Sequence, residues 1–244
     1  MSTLKVLLDF FFPPACAACS TALEPGSKRR MCERCRAMID VLHEPWCARC
    51  GIPIAGAVES AMLCGNCRRS APGFGKARAV ARYRAADDAR FDPLGAVLRR
   101  HKYGLDQSLA RALAECLDER LVPDGRDYDV IVPVPLHWRR LYWRGFNQAA
   151  LLARLLARTM ALPVDATSLK RVRATVSQTA HTRQERRRNV RGAFAVRRSE
   201  RVAGKRILLV DDVITTGATA DECARVLKAS GALEVDVFAL ARRV

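Results

Sequence analysis

Two adjacent carboxylates, Asp211 and Asp212, directly follow an apolar run in the stretch ILLVDDVITTGAT, residues 207–219. Small and hydroxyl-bearing residues come next, in the order Thr215, Thr216, Gly217, Ala218 and Thr219. Backbone N–H groups in such a segment, at the start of a helix, can surround one anionic group, and threonine hydroxyls add donors. Carboxylates beside an anion site are explained if they bind sugar hydroxyls, or Mg2+ shared with diphosphate oxygens, on the same ligand.

A sugar that carries a 5-phosphate, two hydroxyls and a diphosphate would satisfy all these groups at once. An ordinary strand-to-helix turn capped by Asp and Thr is the alternative, but it explains neither the paired acids nor the Thr-Thr-Gly run. The sequence therefore predicts a phosphosugar site at Asp211 and Asp212.

Eight of the ten cysteines form four Cys-x-x-Cys pairs. The pairs are Cys16 with Cys19, Cys32 with Cys35, Cys47 with Cys50, and Cys64 with Cys67. A two-residue spacer lets both sulfurs face one point about 2.3 Å away, as a tetrahedral zinc site requires. We expect two structural zinc ions, bound either by consecutive pairs, which is simplest, or by alternate pairs. A disulfide scaffold or free thiols are the alternative.

The remaining cysteines, Cys116 and Cys223, lie alone in helical patterns, and we expect both to be small buried hydrophobes.

The formal net charge of +17 and the pI of about 10.1 favour an anionic partner. Nucleic acid, phosphorylated small molecules and acidic lipid all fit that charge.

The N-terminal run LKVLLDFFFPP is apolar but far shorter than the roughly 20 residues that span a bilayer. It has no cleavage site typical of a secretory signal, so we expect a cytoplasmic protein without a transmembrane segment. The run is interpreted as a small helix packed on the domain behind it, or as an interfacial segment peripheral to a membrane. In a reducing cytoplasm, cysteines bind metal more often than they form disulfides.

Strand and helix patterns alternate from about residue 76 onward. Strands are predicted at 79–84, 128–135, 206–212 and 234–242, and helices at 93–104, 108–121, 147–162 and 219–231. Such alternation is typical of an α/β fold, a mostly parallel sheet with helices on both faces, in which ligands bind beyond the carboxyl ends of the strands. We expect a small double zinc ribbon at 14–70, followed by this α/β domain at 76–244.

Several stretches resemble one known family. LLVDDVITTGAT is similar to the signature of the type I phosphoribosyltransferases, whose ligand is phosphoribosyl pyrophosphate (PRPP). Together with the Cys-x-x-Cys pairs, HKYG at 101–104, VPVPLHWRRLYWRGFNQA at 132–149 and QTAHTRQERRRNVRGAF at 178–194 resemble the competence protein ComF family over nearly the whole chain. The resemblance implies a type I phosphoribosyltransferase-like fold behind a double zinc ribbon. It also implies a role in DNA uptake during natural transformation, or in the use of DNA as a nutrient.

The resemblance implies roles for individual residues as well. Asp211 and Asp212 would contact ribose hydroxyls, directly or through Mg2+, and residues 215–219 would hold the 5-phosphate. Lys102 in HKYG is a weaker candidate for the PRPP site, with an ordinary helix-end lysine as the alternative.

A loop after the strand at 128–135 would hold pyrophosphate. It contains Arg139, Arg140 and Arg144, and the forked donors of arginine match phosphate oxygens. A solvated basic loop, with Asn147 capping the next helix, is the alternative.

Residues 170–206 contain thirteen Lys and Arg but only two acids, Glu185 and Glu200. Within them, 178–191 resembles the mobile loop that covers the site during transfer. Its candidate residues are Arg183, Arg186, Arg187 and Arg188. The segment is interpreted either as closing over the diphosphate or as contacting a nucleic-acid backbone, with a solvated charge run as the alternative to both.

Three functions are open at this point. The first is a ComF-type protein in DNA internalisation that binds PRPP with Mg2+ and single-stranded DNA, with DNA-uptake machinery at the inner membrane as a partner. Bases would stack on aromatic residues interleaved with arginines, namely Trp138, Tyr142, Trp143 and Phe146. The second is a salvage phosphoribosyltransferase that transfers phosphoribose from PRPP to a base or amine. The third is a regulator that senses PRPP and binds DNA without catalysis.

Overall fold

The computed structural model describes residues 13–56, 62–84, 88, 90–103, 109–117, 121–175 and 183–244, of which 101–103, 109 and 183 are described by their backbone alone. Residues 1–12 hold most of the N-terminal apolar run, so the predictions made for that run lie outside the described residues. No helix within the described ranges is long and apolar enough to cross a bilayer.

A parallel sheet forms the centre of the fold. Its strands are β1 Ala77–Tyr83, β2 Val130–Pro133, β5 Arg206–Ile214 and β6 Glu234–Arg243, in the spatial order β1-β6-β5-β2. A separate antiparallel pair joins β3 Leu169–Arg171 to β4 Phe194–Val196. The predicted parallel sheet is thus confirmed, whereas the β3–β4 pair inside the basic segment had no signal in the sequence.

Helices cover both faces of this sheet. The α-helices of the described residues are α1 Glu33–Ala37, α2 Gly65–Arg69, α3 Pro93–Tyr103, α4 Leu109–Glu115, α5 Trp138–Arg144, α6 Gln148–Met160, α7 Arg183–Val190 and α8 Ala218–Ala229. Along β5, Leu208 and Val210 pack with α3, α4 and α6, whereas Ile207 and Leu209 pack with α8. This alternation with period two is what a strand buried on both faces requires.

The N-terminal region contains two similar modules. In each, a Cys-x-x-Cys turn is closed by a short antiparallel bridge, Ala15 with Ala22 in the first and Trp46 with Pro53 in the second. A five-residue helix, α1 or α2, carries the last cysteine of each module. These are the small turns and hairpins expected of consecutive zinc ribbons.

The two modules lie on opposite faces of the sheet. Between them, Val41 bridges Ala81 of β1 in antiparallel fashion, and the Leu42 N–H donates to the Val80 carbonyl at 2.8 Å. The first module shares the core of α3, α4 and α6, whereas the second shares the core of α8. The linker therefore extends the sheet at its β1 edge, and the ribbons flank that edge.

The helix predicted at 108–121 ends at Glu115. Three further elements differ from their predicted form. β5 runs to Ile214, beyond the predicted end at residue 212. The segment after β2, expected as a loop, forms helix α5. Part of the expected mobile loop at 178–191 forms helix α7, while 176–182 lie outside the described residues.

Candidate functional site

The carboxyl end of β5 extends beyond its neighbour β2, and we call this part of β5, residues 211–214, the open edge. Pro133, the last residue of β2, lies beside Val210, and the Val134 N–H donates to the Val210 carbonyl at 2.8 Å. From Asp211 to Ile214, β5 continues beside β6 after β2 has ended. Ligands of open parallel α/β sheets bind beyond the carboxyl ends of the strands, and this part of β5 is such an end.

Asp211 and Asp212 occupy this open part of β5, and both are partly buried. Asp211 Oδ1 accepts a hydrogen bond from the Asp212 N–H at 2.9 Å, and Asp212 Oδ1 accepts one from the Val213 N–H at 2.8 Å. Carboxylate oxygens are of the kind that accept from sugar hydroxyls and bind hard cations.

Both isolated cysteines are buried, as predicted. Burial raises the pKa of the Cys223 thiol well above its ordinary value, and the nearby charge of Asp211 raises it further. Burial also raises the pKa of Cys116 to about 12. Each thiol is therefore neutral and acts as a small hydrophobe.

The segment after β5 turns into α8 at Gly217. Gly217 is the N-cap of α8 and has φ of 78°, in the left-handed region that favours glycine. The Thr216 hydroxyl accepts from the Ala218 N–H at 3.4 Å. Because α8 begins where β5 ends, its N-terminal N–H groups lie at the same edge of the sheet as Asp211 and Asp212, in the arrangement that binds phosphate.

The acid in the first turn of α8 does not compete for this anion site. Asp221 is buried and accepts from the Gly73 N–H at 2.5 Å and from Arg225 Nε at 3.2 Å. Its charge is thus committed to contacts away from the open edge.

Helix α5 carries the three arginines predicted to bind pyrophosphate. Arg140 is partly buried, and its Nη2 donates to the Thr175 carbonyl at 3.0 Å. Burial lowers the pKa of Arg140, and the charge of Arg144 lowers it further. Arg139 is exposed and stacks on the ring of Trp138 at 5.3 Å. The structure therefore turns Arg140 towards the protein, with Arg144 in electrostatic range, and leaves Arg139 on the outer surface.

The residues on either side of α5 have structural roles. His137 Nδ1 accepts from the Arg139 N–H at 3.4 Å, and Gly145 ends the helix in a left-handed conformation. Asn147 caps α6 by accepting from the Ala149 N–H at 3.1 Å, and its Nδ2 donates to the Val134 carbonyl at 3.0 Å. The capping role considered for Asn147 is thus present, and it ties the start of α6 to the end of β2.

Sequence reasoning missed Arg171, which ends β3. Its Nη2 donates to the Thr175 hydroxyl, and its guanidinium stacks on the Phe194 ring at 5.3 Å. Asp211 and Arg140 both lie within electrostatic range of it. The sequence had counted Arg171 only as one charge of the basic segment, because nothing in the local pattern indicated strand β3.

The eight paired cysteines form two groups, and consecutive pairs share a group. Cys16, Cys19, Cys32 and Cys35 form one, and Cys47, Cys50, Cys64 and Cys67 form the other, with all sulfurs of a group within 4.8 Å of one another. Four ligands at 2.3 Å around a tetrahedral ion lie about 3.8 Å apart. The Cys19–Cys32 sulfurs are 3.8 Å apart and the Cys50–Cys64 sulfurs 3.7 Å. The geometry thus fits zinc and selects consecutive pairing.

Backbone N–H groups point at the sulfurs, as they do around thiolates. The N–H groups of Cys50 and Cys64 donate to Cys47 Sγ at 3.5 and 3.3 Å. Burial opposes ionisation of Cys47, but these hydrogen bonds outweigh it and lower its pKa to about 6. Burial raises the pKa of Cys67 and Cys35. Zinc must therefore displace protons from these thiols to bind.

Known families match both regions of the chain. The double zinc ribbon domain matches residues 7–68, and the phosphoribosyl transferase domain matches residues 145–244. Competence protein F of Haemophilus influenzae is 33% identical over 239 residues, which are 95% of this chain and 98% of that protein. The chain belongs to the competence protein F family.

Further relatives of this chain carry names that refer to DNA utilization or competence. DNA utilization protein YhgH of Escherichia coli K12 is 35% identical over 80% of this chain and 83% of that protein. Competence protein ComFC of Bacillus subtilis is 28% identical over 90% of this chain and 86% of that protein. A solved structure, glutamine PRPP amidotransferase from B. subtilis complexed with ADP and GMP, covers 64% of this chain and 29% of its own at 23% identity. The TM-score of this match is 0.34.

Helices α3 and α7 carry the remaining residues predicted for the PRPP site. Lys102 lies in the last turn of α3 and Arg183 begins α7, but the structure describes neither side chain. Arg187 is partly buried on α7, which packs against α8. Arg173 Nη2 holds the end of α7 by donating to the Asn189 carbonyl at 3.0 Å. The basic helix α7 thus lies beside the helix that follows the Thr-Thr-Gly segment.

Proposed function

We propose that this chain is a ComF-type protein of DNA uptake that binds PRPP with Mg2+ at the open edge of β5. The observation that carries the proposal is the junction of β5 and α8. Asp211 and Asp212 lie there at the carboxyl edge of the sheet, directly before the N-terminus of α8. A phosphosugar has the two kinds of group that this junction can bind, hydroxyls for the carboxylates and a phosphate for the helix.

Each part of PRPP has a proposed place. The 5-phosphate binds the N–H groups and hydroxyls of 215–219, and the ribose hydroxyls bind Asp211 and Asp212. Arg140, with Arg144 near it, faces the diphosphate. Asp211 and Asp212 would hold Mg2+, and the cation would supply positive charge beside the diphosphate.

A transfer reaction at this site would break the bond between the anomeric carbon of the ribose and the diphosphate. Pyrophosphate would leave with the electron pair, and a base or amine would form the new bond to carbon. The contribution of this chain would be electrostatic, because Arg140 and Arg144 can stabilise the departing anion and Asp211 the positive charge on the sugar. His137 is held as the cap of α5, so we assign it no proton transfer.

Calorimetry with PRPP and Mg2+ tests the site directly. The double variant Asp211→Asn/Asp212→Asn should bind PRPP about tenfold more weakly or worse, because hydrogen bonds to charged groups and metal coordination are lost. Asp124→Asn/Asp127→Asn is the matched control, since these exposed acids precede β2 at the opposite end of the sheet. Equal affinity of the Asp211/Asp212 variant and the wild type would remove the site assignment.

We further propose that single-stranded DNA binds the outer surface of α5. Trp138 is 65% exposed, and Tyr142 and Trp143 are each 83% exposed, on a helix whose outer surface also carries Arg139. Exposed aromatic rings among cations stack on unpaired bases while the cations bind phosphates. Relatives named for competence and DNA utilization, and the net charge of +17, support this partner.

Oligothymidylate binding at several salt concentrations tests the DNA surface. Tyr142→Ala/Trp143→Ala should weaken binding about tenfold or more, because stacking contributes about 1–3 kcal/mol per base. PRPP affinity should stay unchanged. Phe91→Ala is the control, since Phe91 is another exposed ring, 47% exposed, that precedes α3 and is not part of α5. An oligothymidylate affinity that changes neither with the substitutions nor with the salt concentration would contradict the proposal.

The salvage alternative makes a different demand. It requires PRPP-dependent phosphoribosylation of a free base or amine by the isolated protein, with release of pyrophosphate. Turnover with any member of a broad panel of bases would favour this alternative over a DNA-uptake role alone.

A further inference from the structure

Two guanidinium groups of the candidate site meet at one residue. Arg140 donates to the carbonyl of Thr175, and Arg171 donates to its hydroxyl. The two arginines come from separate elements, α5 and β3, and Thr175 is buried between them. The fold therefore holds two cations together before any ligand binds.

A bound anion would stabilise this arrangement. Like charges at short range raise the free energy of the folded protein unless negative charge lies near them. Burial lowers the pKa of Arg171, and the charge of Arg140 lowers it further, but arginines keep their proton in proteins. Asp211 supplies one negative charge within range, against the positive charges of Arg171 itself, Arg140 and Arg173.

One donor of Arg171 is also unused. Its Nε is buried and makes no hydrogen bond to any acceptor in the described part of the chain. A buried donor without an acceptor costs about 1–3 kcal/mol. Since the guanidinium plane is fixed by Thr175 and Phe194, the side chain cannot turn this N–H to bulk water without giving up those contacts.

We infer that Arg171 binds the diphosphate of the phosphosugar, across from Asp211, and so makes the site select a diphosphate over a monophosphate. The inference rests on the proposed PRPP site and adds a residue to it. The 5-phosphate binds at α8, which both ribose 5-phosphate and PRPP can reach. A second, diphosphate anion offers enough oxygens to serve the forks of Arg140 and Arg171 together.

The test compares three ligands on the full-length, zinc-loaded chain in the presence of Mg2+. Calorimetry measures the affinity for PRPP, for pyrophosphate and for ribose 5-phosphate. Arg171→Met removes the cation, and Arg171→Lys keeps the charge but loses the fork. Lys170→Met is the matched control, because Lys170 is exposed on the same strand and its loss changes the net charge equally.

Arg171→Met should weaken PRPP and pyrophosphate binding about tenfold or more, and Arg171→Lys several-fold, as expected for a charge-assisted bidentate contact. Ribose 5-phosphate should bind within about twofold of wild type in all variants, as should every ligand to Lys170→Met. Zinc content and circular dichroism establish that the variants fold. If Arg171→Met does not fold, the binding data for Arg171→Lys decide the test.

The results distinguish a failure of this inference from a failure of the proposed PRPP site. Wild-type affinity of both Arg171 variants for PRPP and pyrophosphate would overturn the inference and leave the PRPP site intact. Equal weakening of all three ligands would also overturn it, because Arg171 would then support the whole site rather than the diphosphate. A wild-type chain that binds none of the ligands would overturn both the inference and the proposed function.

Discussion

Gly217 shows how one residue links backbone conformation to the proposed phosphate site. Its φ is 78°, yet no described heavy atom lies within 4 Å of the position that a Cβ would take. A side chain there is therefore disfavoured by the backbone alone and not by crowding. The Thr-Thr-Gly run was enough to predict this turn, because glycine between a strand and a helix supplies the positive φ that such a turn can require.

Gly217→Ala should lower the free energy of unfolding by about 1–2 kcal/mol and weaken ribose 5-phosphate binding. Gly204→Ala is the matched control, since Gly204 has φ of 68° and equal open space but precedes β5 at the other end of the sheet. Chemical denaturation should show similar losses for both variants, while calorimetry should show weaker binding for Gly217→Ala alone. Equal binding by both would mean that the turn does not hold the phosphate.

Asp165 positions the β3 strand that carries Arg171. It is buried and accepts from the N–H groups of Thr167 and Ser168, at 2.9 and 3.0 Å, and from both hydroxyls. Burial opposes its ionisation, but these hydrogen bonds outweigh that effect and lower its pKa. A lone Asp in a loop gave no such indication in the sequence, because its partners are set by the turn that it forms.

Asp165→Asn should destabilise the protein by about 1–3 kcal/mol at neutral pH. Because the folded pKa lies below the unfolded value of about 3.9, the carboxylate stabilises the fold above that pH and loses this effect as the pH falls through the folded pKa. Denaturation at several pH values should therefore show the two proteins converging below about pH 4. A difference that stays constant or grows towards acid would contradict this account.

At the scale of elements, the sequence predicted the buried strands and helices and missed the ends set by tertiary contacts. β5 and β6 were predictable because apolar residues fill both faces. α5 was not, because its exposed aromatic face has no core-facing period and its ends depend on His137 and Gly145. β5 exceeds its predicted end because Val213 and Ile214 continue to pair with Ala241 and Arg242 of β6.

The two cysteine groups differ in exposure, and this predicts the order of zinc release. Cys19 is exposed, whereas Cys47, Cys50 and Cys67 of the second group are buried. A chelator should therefore remove the first ion several-fold faster, in two phases of about one zinc per chain each. Cys19→Ser should abolish the fast phase and Cys50→Ser the slow one, as measured with a chromogenic chelator. Release of both ions in one phase would show that exposure does not govern access.

At the scale of the whole molecule, the ribbons and the sheet share their cores. Cys16, Met31 and Cys35 lie in the core beneath α3 and α4, whereas Cys47, Cys50 and Cys67 lie in the core beneath α8. Composition had divided the chain at residues 70–76, since cysteine pairs end there and strand patterns begin. It could not show that the linker pairs with β1, because the paired segment is only residues 40–42. Three residues carry too little pattern to predict a strand partner.

A chain of residues 71–244 alone should therefore be much less stable than the full chain. Removing the ribbons uncovers the β1 edge and apolar residues on both faces of the sheet, and burial contributes about 25 cal/mol for each Å². In the full chain, removal of both zinc ions should lower the melting temperature of the sheet along with that of the ribbons, in one transition. Scanning calorimetry and far-UV circular dichroism measure both effects. A truncated chain that melts at the full-length temperature and binds PRPP equally well would show that the α/β region folds independently of the ribbons.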